Sequence, residues 1–229
     1  MSTSNGSEKT RTLQAFVACK SDANASSGPP TKRARVGLSK VISGGQTGAD
    51  RAALEAAKEV ALETGGTAPG GFLTARGRDK TLQSEFGLVE LPAPRTAAGA
   101  LQPLSVPQMY IMRSQINVDD SDATVAFRLR ASVGTDKTIG YCATRKWRVA
   151  KQHEIHNTRN HYRPLLVVDS VQDEKAAVRA IVDFLKRTKP QTLNVCGHRD
   201  DRTAGCTAFG DTVKRILVGA LTEIGKNKD

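Results

Sequence analysis

The sequence predicts an α/β fold: a three-layer sandwich with a mostly parallel central sheet, preceded by a disordered N-terminal tail. Short apolar runs alternate with helical stretches from Val41 onward, the pattern of an open sheet covered on both faces. The first run enters a glycine-bracketed turn, SGGQTGAD, that opens an amphipathic helix. Residues 1 to 37 are rich in Ser, Thr, Asn, Ala, Gly and Pro, with Leu13, Phe16 and Val17 as an isolated apolar cluster, too little to bury a core.

Residues 41 to 60 set the frame. Ala49, Ala52, Ala53, Ala56, Ala57 and Val60 recur at i, i+3, i+4, i+7, i+8 and i+11, a helix buried on one narrow face. Before it comes the turn Ser43, Gly44, Gly45, Gln46, Thr47 and Gly48, in which Ser43, Gly44, Gly45 and Gly48 leave little side chain between strand and helix, so backbone N–H groups can approach a ligand where the helix dipole also points. The turn reads equally as a phosphate-type anion site and as a tight strand-to-helix connection, since it matches neither GK[ST] nor GxGxxG. Thr47 and Asp50 have capping-box spacing, so Asp50 stands between helix cap and ligand or catalytic group. Arg51 stands between a charge-assisted ligand contact and a surface ion pair.

Residues 70 to 94 read as a Gly-Gly turn, a basic loop with Arg76, Arg78 and Lys80, and a strand from Gly87 to Leu91 ended by Pro92 and Pro94. Pro107 reads as the first position of a helix to Val118 that carries Met109, Met112, Arg113 and Ile116 on successive turns, the methionines as core filler. An acidic turn then precedes a buried strand, ATVAFRL. VGTDKTIGYCATRKW follows as a small-residue turn and helix, a second place where Gly134, Thr135 and Thr138 could meet an anion, with helix capping as the plainer role of Thr135. PLLVVD reads as a central parallel strand. After it come a helix striped by Ala177, Ala180, Ile181, Phe184 and Leu185, the strand TLNVCG, and a last helix with Phe209, Val213, Ile216, Leu217, Ala220, Leu221 and Ile224. In such a sheet ligands sit at the carboxyl ends of the strands, where Ser43 to Gly48, Gly134 to Thr138, Asp169 and Gly197 to Arg199 should converge.

At 229 residues the chain suits one α/β domain, residues 38 to 225, plus the tail. No apolar run approaches the roughly 18 residues that span a bilayer, and the N-terminus lacks a signal-peptide core, so a soluble cytoplasmic or nuclear protein is expected. Cys19, Cys142, Cys196 and Cys206 have no CxxC or metal-ligand spacing and read as reduced thiols, and no metal site is expected. The net charge of +11 is confined to two places: residues 1 to 40 carry seven Lys/Arg against two acids, and residues 145 to 163 carry six against one. A duplex-binding surface spreads its basic residues along a face, so nucleic acid is an unlikely partner. PPTKRARV, Pro29 to Val36, resembles a short basic nuclear-import signal that an import receptor would read, with a solvated linker as the alternative. RTLQAFVACK is at best a generic docking peptide. The His-rich stretch 148 to 163 spaces His153 and His156 three apart rather than four, and reads as a solvated basic insertion rather than a zinc helix. Homo-oligomerisation is left open.

ISGGQTGADRAAL, GGF with ARGR, RSQINVDDSDATVAF, GTDKT, RPLLVVD and LNVCGHRD with TAG occur in collinear order from about Leu38 to Leu221. Together they resemble the putative molybdenum carrier family, a circularly permuted, YpsA-like branch of the SLOG superfamily of Rossmann-like proteins. The resemblance implies a Rossmann-like fold and a phosphorylated ligand, nucleotide-derived or of the pterin type found in molybdenum cofactor; the family's label is itself no evidence of metal. Within it, Ser43 to Gly48, Asp50 and Arg51 match without a break, and Arg113, Asn117, Asp120, Ser121, Asp122 and Thr124 fit a second block in which Ser114 replaces a Thr. Val133, Gly134, Thr135 and Thr138 stand where the family has GGT and a further Thr, and His198 and Ala204 replace prolines. The PGGxGTxxE block of related nucleotide-cleaving hydrolases is absent.

The expected function is therefore binding of a phosphorylated nucleotide-like or pterin ligand, with Gly44, Gly45, Thr47 and Gly48 on phosphate, Arg51 or Arg113 in a charge-assisted contact, and Asp122 accepting from a ribose or pterin edge. A hydrolase that cleaves an N-glycosidic or phosphate bond, with Asp50 or Asp122 as acid-base group beside an arginine such as Arg51, is the first alternative. A nuclear protein that contacts nucleic acid through tail and loop is the second.

Overall fold

The computed structural model describes residues 37–94, 99–144, 163–200 and 208–226. The Pro29 to Val36 signal, the RTLQAFVACK peptide and the His-rich stretch up to residue 162 lie outside the described residues. The chain starts with β1 (Lys40–Ile42), α1 (Ala49–Glu59) and β2 (Glu63–Gly65). A small lobe follows: β3 (Thr67–Ala68), a 3-10 turn (Gly70–Phe72), β4 (Leu73–Thr74), β5 (Gly77–Arg78), α2 (Thr81–Phe86) and β6 (Val89–Glu90). The second half contains α3 (Val106–Asp119), β7 (Ala123–Phe127), α4 (Val133–Thr144), β8 (Leu165–Val168), α5 (Glu174–Thr188), β9 (Thr192–Gly197) and α6 (Ala208–Lys226).

Five parallel strands form the sheet in the order β2-β1-β9-β7-β8. The direction in which successive strands are laid down reverses about β9: β1 connects outward to β2 on one side, and β7 connects outward to β8 on the other. A crevice at the carboxyl end of β9 follows from that reversal. Helices cover both faces, α1, α5 and α6 packing on one another and α3 on α4, so the predicted three-layer Rossmann-like sandwich is what forms.

The two faces differ in chemistry because side chains alternate along each strand. Val41, Ala123, Val125, Phe127, Leu193 and Val195 join the alanine stripe of α1 and the apolar stripes of α5 and α6 in the main core. The intervening positions, Thr124, Asn194 and Cys196, face the other way, with an Asn194 Nδ2 to Thr124 Oγ1 hydrogen bond of 3.3 Å. Small alanines let α1 lie close on the sheet, and its other side sends Leu54 into a separate cluster with Ala68, Phe72, Leu82, Phe86 and Leu88.

Several elements differ from the sequence reading. PLLVVD forms β8 at the sheet edge, not its centre; it is apolar throughout because α4 and α5 cover both of its faces. The strand expected over Gly87 to Leu91 is reduced to Val89–Glu90, and the residues before it form α2, whose Leu82 and Phe86 are spaced one turn apart. Pro107 is the second rather than the first residue of α3, after Ser105 and Gln108 close a capping box. Met109 and Met112 are half-buried, and the buried positions of α3 are Arg113, Asn117 and Val118, two of them polar. The stretch around Gly134 to Thr138 is not a turn but the first two turns of α4.

Gly48 has φ +80°, and a Cβ there would lie 2.4 Å from the His198 carbonyl oxygen and 2.7 Å from the Asp200 backbone nitrogen. Gly48→Ala should therefore lose about 2–5 kcal/mol in urea unfolding, the left-handed conformation and the backbone overlap adding. Gly140, in the middle of α4 with open space around it, is the control: Gly140→Ala should raise stability by about 0.5–1 kcal/mol in the same measurement.

Candidate functional site

A cleft of about 750 Å³ opens at the carboxyl end of β9 between α3 and α4. The turn before α1 contributes Gln46 and the first turn of α1 Asp50; α3 contributes Tyr110, Ile111, Arg113, Ser114 and Gln115. Residues Ser132 to Thr135, Lys137, Thr138, Tyr141 and Thr144 form the opposite wall, and Cys196, Gly197 and Arg199 the floor. Val133 is 75% exposed at the rim, which leaves apolar surface beside the polar helix start.

The floor is built on an ion pair. Asp50 Oδ2 lies 3.0 Å from Arg113 Nη1, with the side chains 2% and 10% exposed. Asp50 also accepts from the Gln46 N–H at 3.3 Å. Burial pushes its carboxyl above the usual carboxylate range, and the Arg113 charge and the backbone N–H groups of Gln46 and Gly197 oppose that rise. The Arg113 Nε, buried on the cleft wall, has no hydrogen-bond partner among the described residues. Burial likewise raises the Cys196 thiol well above its ordinary range and Cys142 to about 11, so both stay as thiols.

The glycines of the turn make room for protein. A Cβ on Gly44 would fall 1.4 Å from Arg113 Nη1, so the guanidinium lies directly over that backbone. Gly45, at φ +74°, faces Leu82 and Leu88, and Gly48 accommodates the backbone of His198 to Asp200. Two of the turn's donors are engaged within the chain, the Gln46 N–H by Asp50 and the Ala49 N–H by the His198 carbonyl at 3.0 Å. No capping box forms at Thr47: Gly48 is the N-cap, and Thr47 Oγ1 is buried without a partner among the described residues.

Of the residues singled out by sequence, the cleft brings together Gln46, Asp50, Arg113, Ser114, Val133, Gly134, Thr135, Thr138, Gly197 and Arg199. The others are placed elsewhere. Ser43 Oγ donates to the Val195 carbonyl at 2.7 Å, and Asn117 holds the Thr67 backbone through both N–H and C=O, at 2.7 and 3.1 Å. Arg51 pairs with Glu55 and Asp79 at 3.1 Å each and lies over the Phe86 ring, on the small lobe. Asp122 accepts from the Gln191 and Thr192 N–H groups at the amino end of β9, the far end of the sheet from the cleft. Asp169 is exposed and lines no part of the cleft. Thr135 is the third residue of α4, not its cap; Asp136 instead accepts the Ser132 N–H at 3.1 Å and pairs with Arg128.

Tyr110, Lys137 and Tyr141 went unrecognised in the sequence. Their signal was helical spacing: Tyr110 precedes Arg113 and Ser114 by three and four positions, and Gly134, Lys137 and Tyr141 follow at three and four. Among the described residues, no three His, Cys, Asp or Glu side chains are grouped to hold a metal ion.

The ion pair yields a directional test. Between the ordinary and the raised Asp50 pKa the folded chain keeps a proton that the unfolded chain has released, so stability falls as pH rises through that window. Arg113→Met removes the opposing charge, raises that pKa further and should cost about 3–5 kcal/mol near neutrality, with the loss shrinking as pH is lowered. Asp50→Leu in the same chain should restore most of it; urea unfolding between mildly acid and neutral pH reads both.

Residues 41–217 match the family model of the circularly permutated YpsA SLOG family. The crystal structure of the putative molybdenum carrier protein from Syntrophus aciditrophicus SB is similar with a TM-score of 0.56 and 28% sequence identity, covering 81% of this chain and 96% of that one. No curated protein matches the chain. With 41–217 matched from the first strand to the last helix, the chain belongs to the circularly permutated YpsA SLOG family.

Proposed function

We propose that the chain binds a phosphorylated heteroaromatic ligand, nucleotide-derived or pterin-like, in the cleft between α3 and α4. The observation that carries this is the meeting of apolar ring-sized surface with a cationic helix start. Tyr110, Ile111, Val133 and Tyr141 border the same space as the first turn of α4, Lys137 and Arg199. The first N–H groups of a helix lack intrahelical partners and favour an anion, and two cations beside them strengthen that preference. The Asp50–Arg113 pair is neutral as a unit, so the floor does not repel phosphate. The glycine turn then serves as support for that floor, with Gln46 as its polar contact. Family membership supports a ligand-binding role; the neighbour's name applies to that protein and is reason to include molybdate and molybdopterin among the compounds tried.

A second reading rests on Asp50. A carboxyl in the cleft floor, pushed up by burial and neighboured by Arg113, has the character of a proton donor to a leaving group, which fits cleavage of an N-glycosidic or phosphate bond. Product release from a nucleoside monophosphate, abolished in Asp50→Asn with binding retained, would move this reading ahead.

Thermal unfolding with nucleoside monophosphates, pterin phosphates, molybdopterin and molybdate tests the binding proposal. A ligand at about 100 times its Kd should raise Tm by about 5–10 °C. Lys137→Ala and Arg199→Ala, both at exposed positions, should each weaken it about 10- to 100-fold without lowering the ligand-free Tm. If no phosphorylated heteroaromatic compound shifts Tm at millimolar concentration, the proposal is wrong.

A further inference from the structure

The cleft extends well beyond its cationic mouth. α3 ends just before the amino end of β7 and α4 begins just after its carboxyl end, so the two helices run side by side in the same direction. The groove between them therefore leads away from Arg199 and the β9 floor. Its α4 wall continues from Lys137 through Thr138 and Tyr141 to Thr144, about 10 Å at 1.5 Å per residue. Ile111, Ser114 and Gln115 line it from α3.

The hydroxyl protons along this run are already spent. Ser114 Oγ donates to the Tyr110 carbonyl at 2.8 Å, Thr138 Oγ1 to the Gly134 carbonyl at 3.2 Å and Thr144 Oγ1 to the Gly140 carbonyl at 3.0 Å, each four residues back on its own helix. Tyr141 donates its hydroxyl to Asp119 Oδ2 at 2.8 Å. None of the four has a proton left for a ligand, and what the threonines have left is a methyl group. A carbonyl or a sugar oxygen placed here would lose its hydrogen bonds from water without replacement from these side chains, whereas an alkyl chain has none to lose. Ile111 and the Tyr141 ring add apolar surface. Among the described residues, no charged side chain lines the run beyond Lys137.

We propose that the ligand of the cleft carries an extended apolar chain, alkyl or acyl, which lies between α3 and α4 while its phosphate stays at Lys137 and Arg199. The proposal rests on the phosphate part of the reading above and adds the class of molecule: an anionic amphiphile. The order of the charges fits it, with both cations at one end of the groove and spent hydroxyls along the rest.

Calorimetric titration of the full chain with ethyl, butyl, hexyl, octyl and dodecyl phosphate, each below its micelle concentration, tests it, with inorganic phosphate and octanol as controls. Affinity should rise about twofold to fourfold per added methylene and level off once the chain outgrows the groove. Lys137→Ala should weaken every phosphate about tenfold and leave the rise per methylene as it was. Thr138→Val, of the same shape, should keep that rise, and Ser114→Phe, at a half-buried position, should bring the levelling to a shorter chain. A flat series, or loss of the rise in Thr138→Val, overturns the apolar groove while the phosphate mouth stands. A rise that continues through dodecyl phosphate marks nonspecific adsorption and overturns it too. Octanol binding as tightly as octyl phosphate overturns the anionic head, and with it the reading on which the proposal rests. If no member of the series binds, the proposal falls, and the phosphorylated heteroaromatic compounds above decide the reading beneath it.

Discussion

The Arg113 guanidinium, laid over Gly44 and against Asp50, is the contact on which the cleft depends. Two charges withdrawn from water rarely add net stability over an apolar pair of the same size, so stability alone does not account for them. What the pair does is positional. It fastens the middle of α3 to the first turn of α1, and those two elements carry the floor and one wall of the cleft. The absence of a side chain at residue 44 is what allows the two helices this approach.

Around that contact the sheet divides its labour. One face, with α1, α5 and α6, is a continuous apolar core that includes the fully buried Phe127 and Phe184. The other carries Thr124, Asn194 and Cys196 toward α3 and α4, with polar groups that hold one another by specific bonds. The cleft opens where this polar face meets the carboxyl ends of the strands. A layer that has given up apolar packing needs the rest of the molecule for stability, and the alanine-lined face provides it.

Much of this was legible in the sequence, for physical reasons that also mark the limit. The α1 stripe, β7, β9, α5 and α6 follow periodicities of 3.6 and 2 that local chemistry enforces. β8 was misplaced because an apolar run records coverage of both faces, which an edge strand between two helices also has. The α2 helix escaped because six residues hold too few turns to show a stripe. For the site, Asp50, Arg113 and Thr135 were legible as polar residues in odd company, but their partners were not. Asp122 shows why: its carboxylate and the amides of Gln191 and Thr192 are about 70 positions apart, and nothing in local spacing tells that it closes the amino end of β9. The glycine-rich turn is ambiguous in the same way, since a glycine that makes room for Arg113 looks in sequence like one that makes room for phosphate.

The Gln46 carboxamide bridges the body and the small lobe, donating to the Leu73 carbonyl and accepting from the Ala75 N–H, both at 3.1 Å. Beyond Ala75 lies Arg76, on a lobe whose own core is five residues packed on Leu54 of α1. A segment with so small a core opens at a lower free energy than the five-stranded sheet it leans on. The lobe that carries Arg76 should thus exchange its amides through local excursions, ahead of those around the Asp50–Arg113 floor. Lobe and floor then keep different clocks.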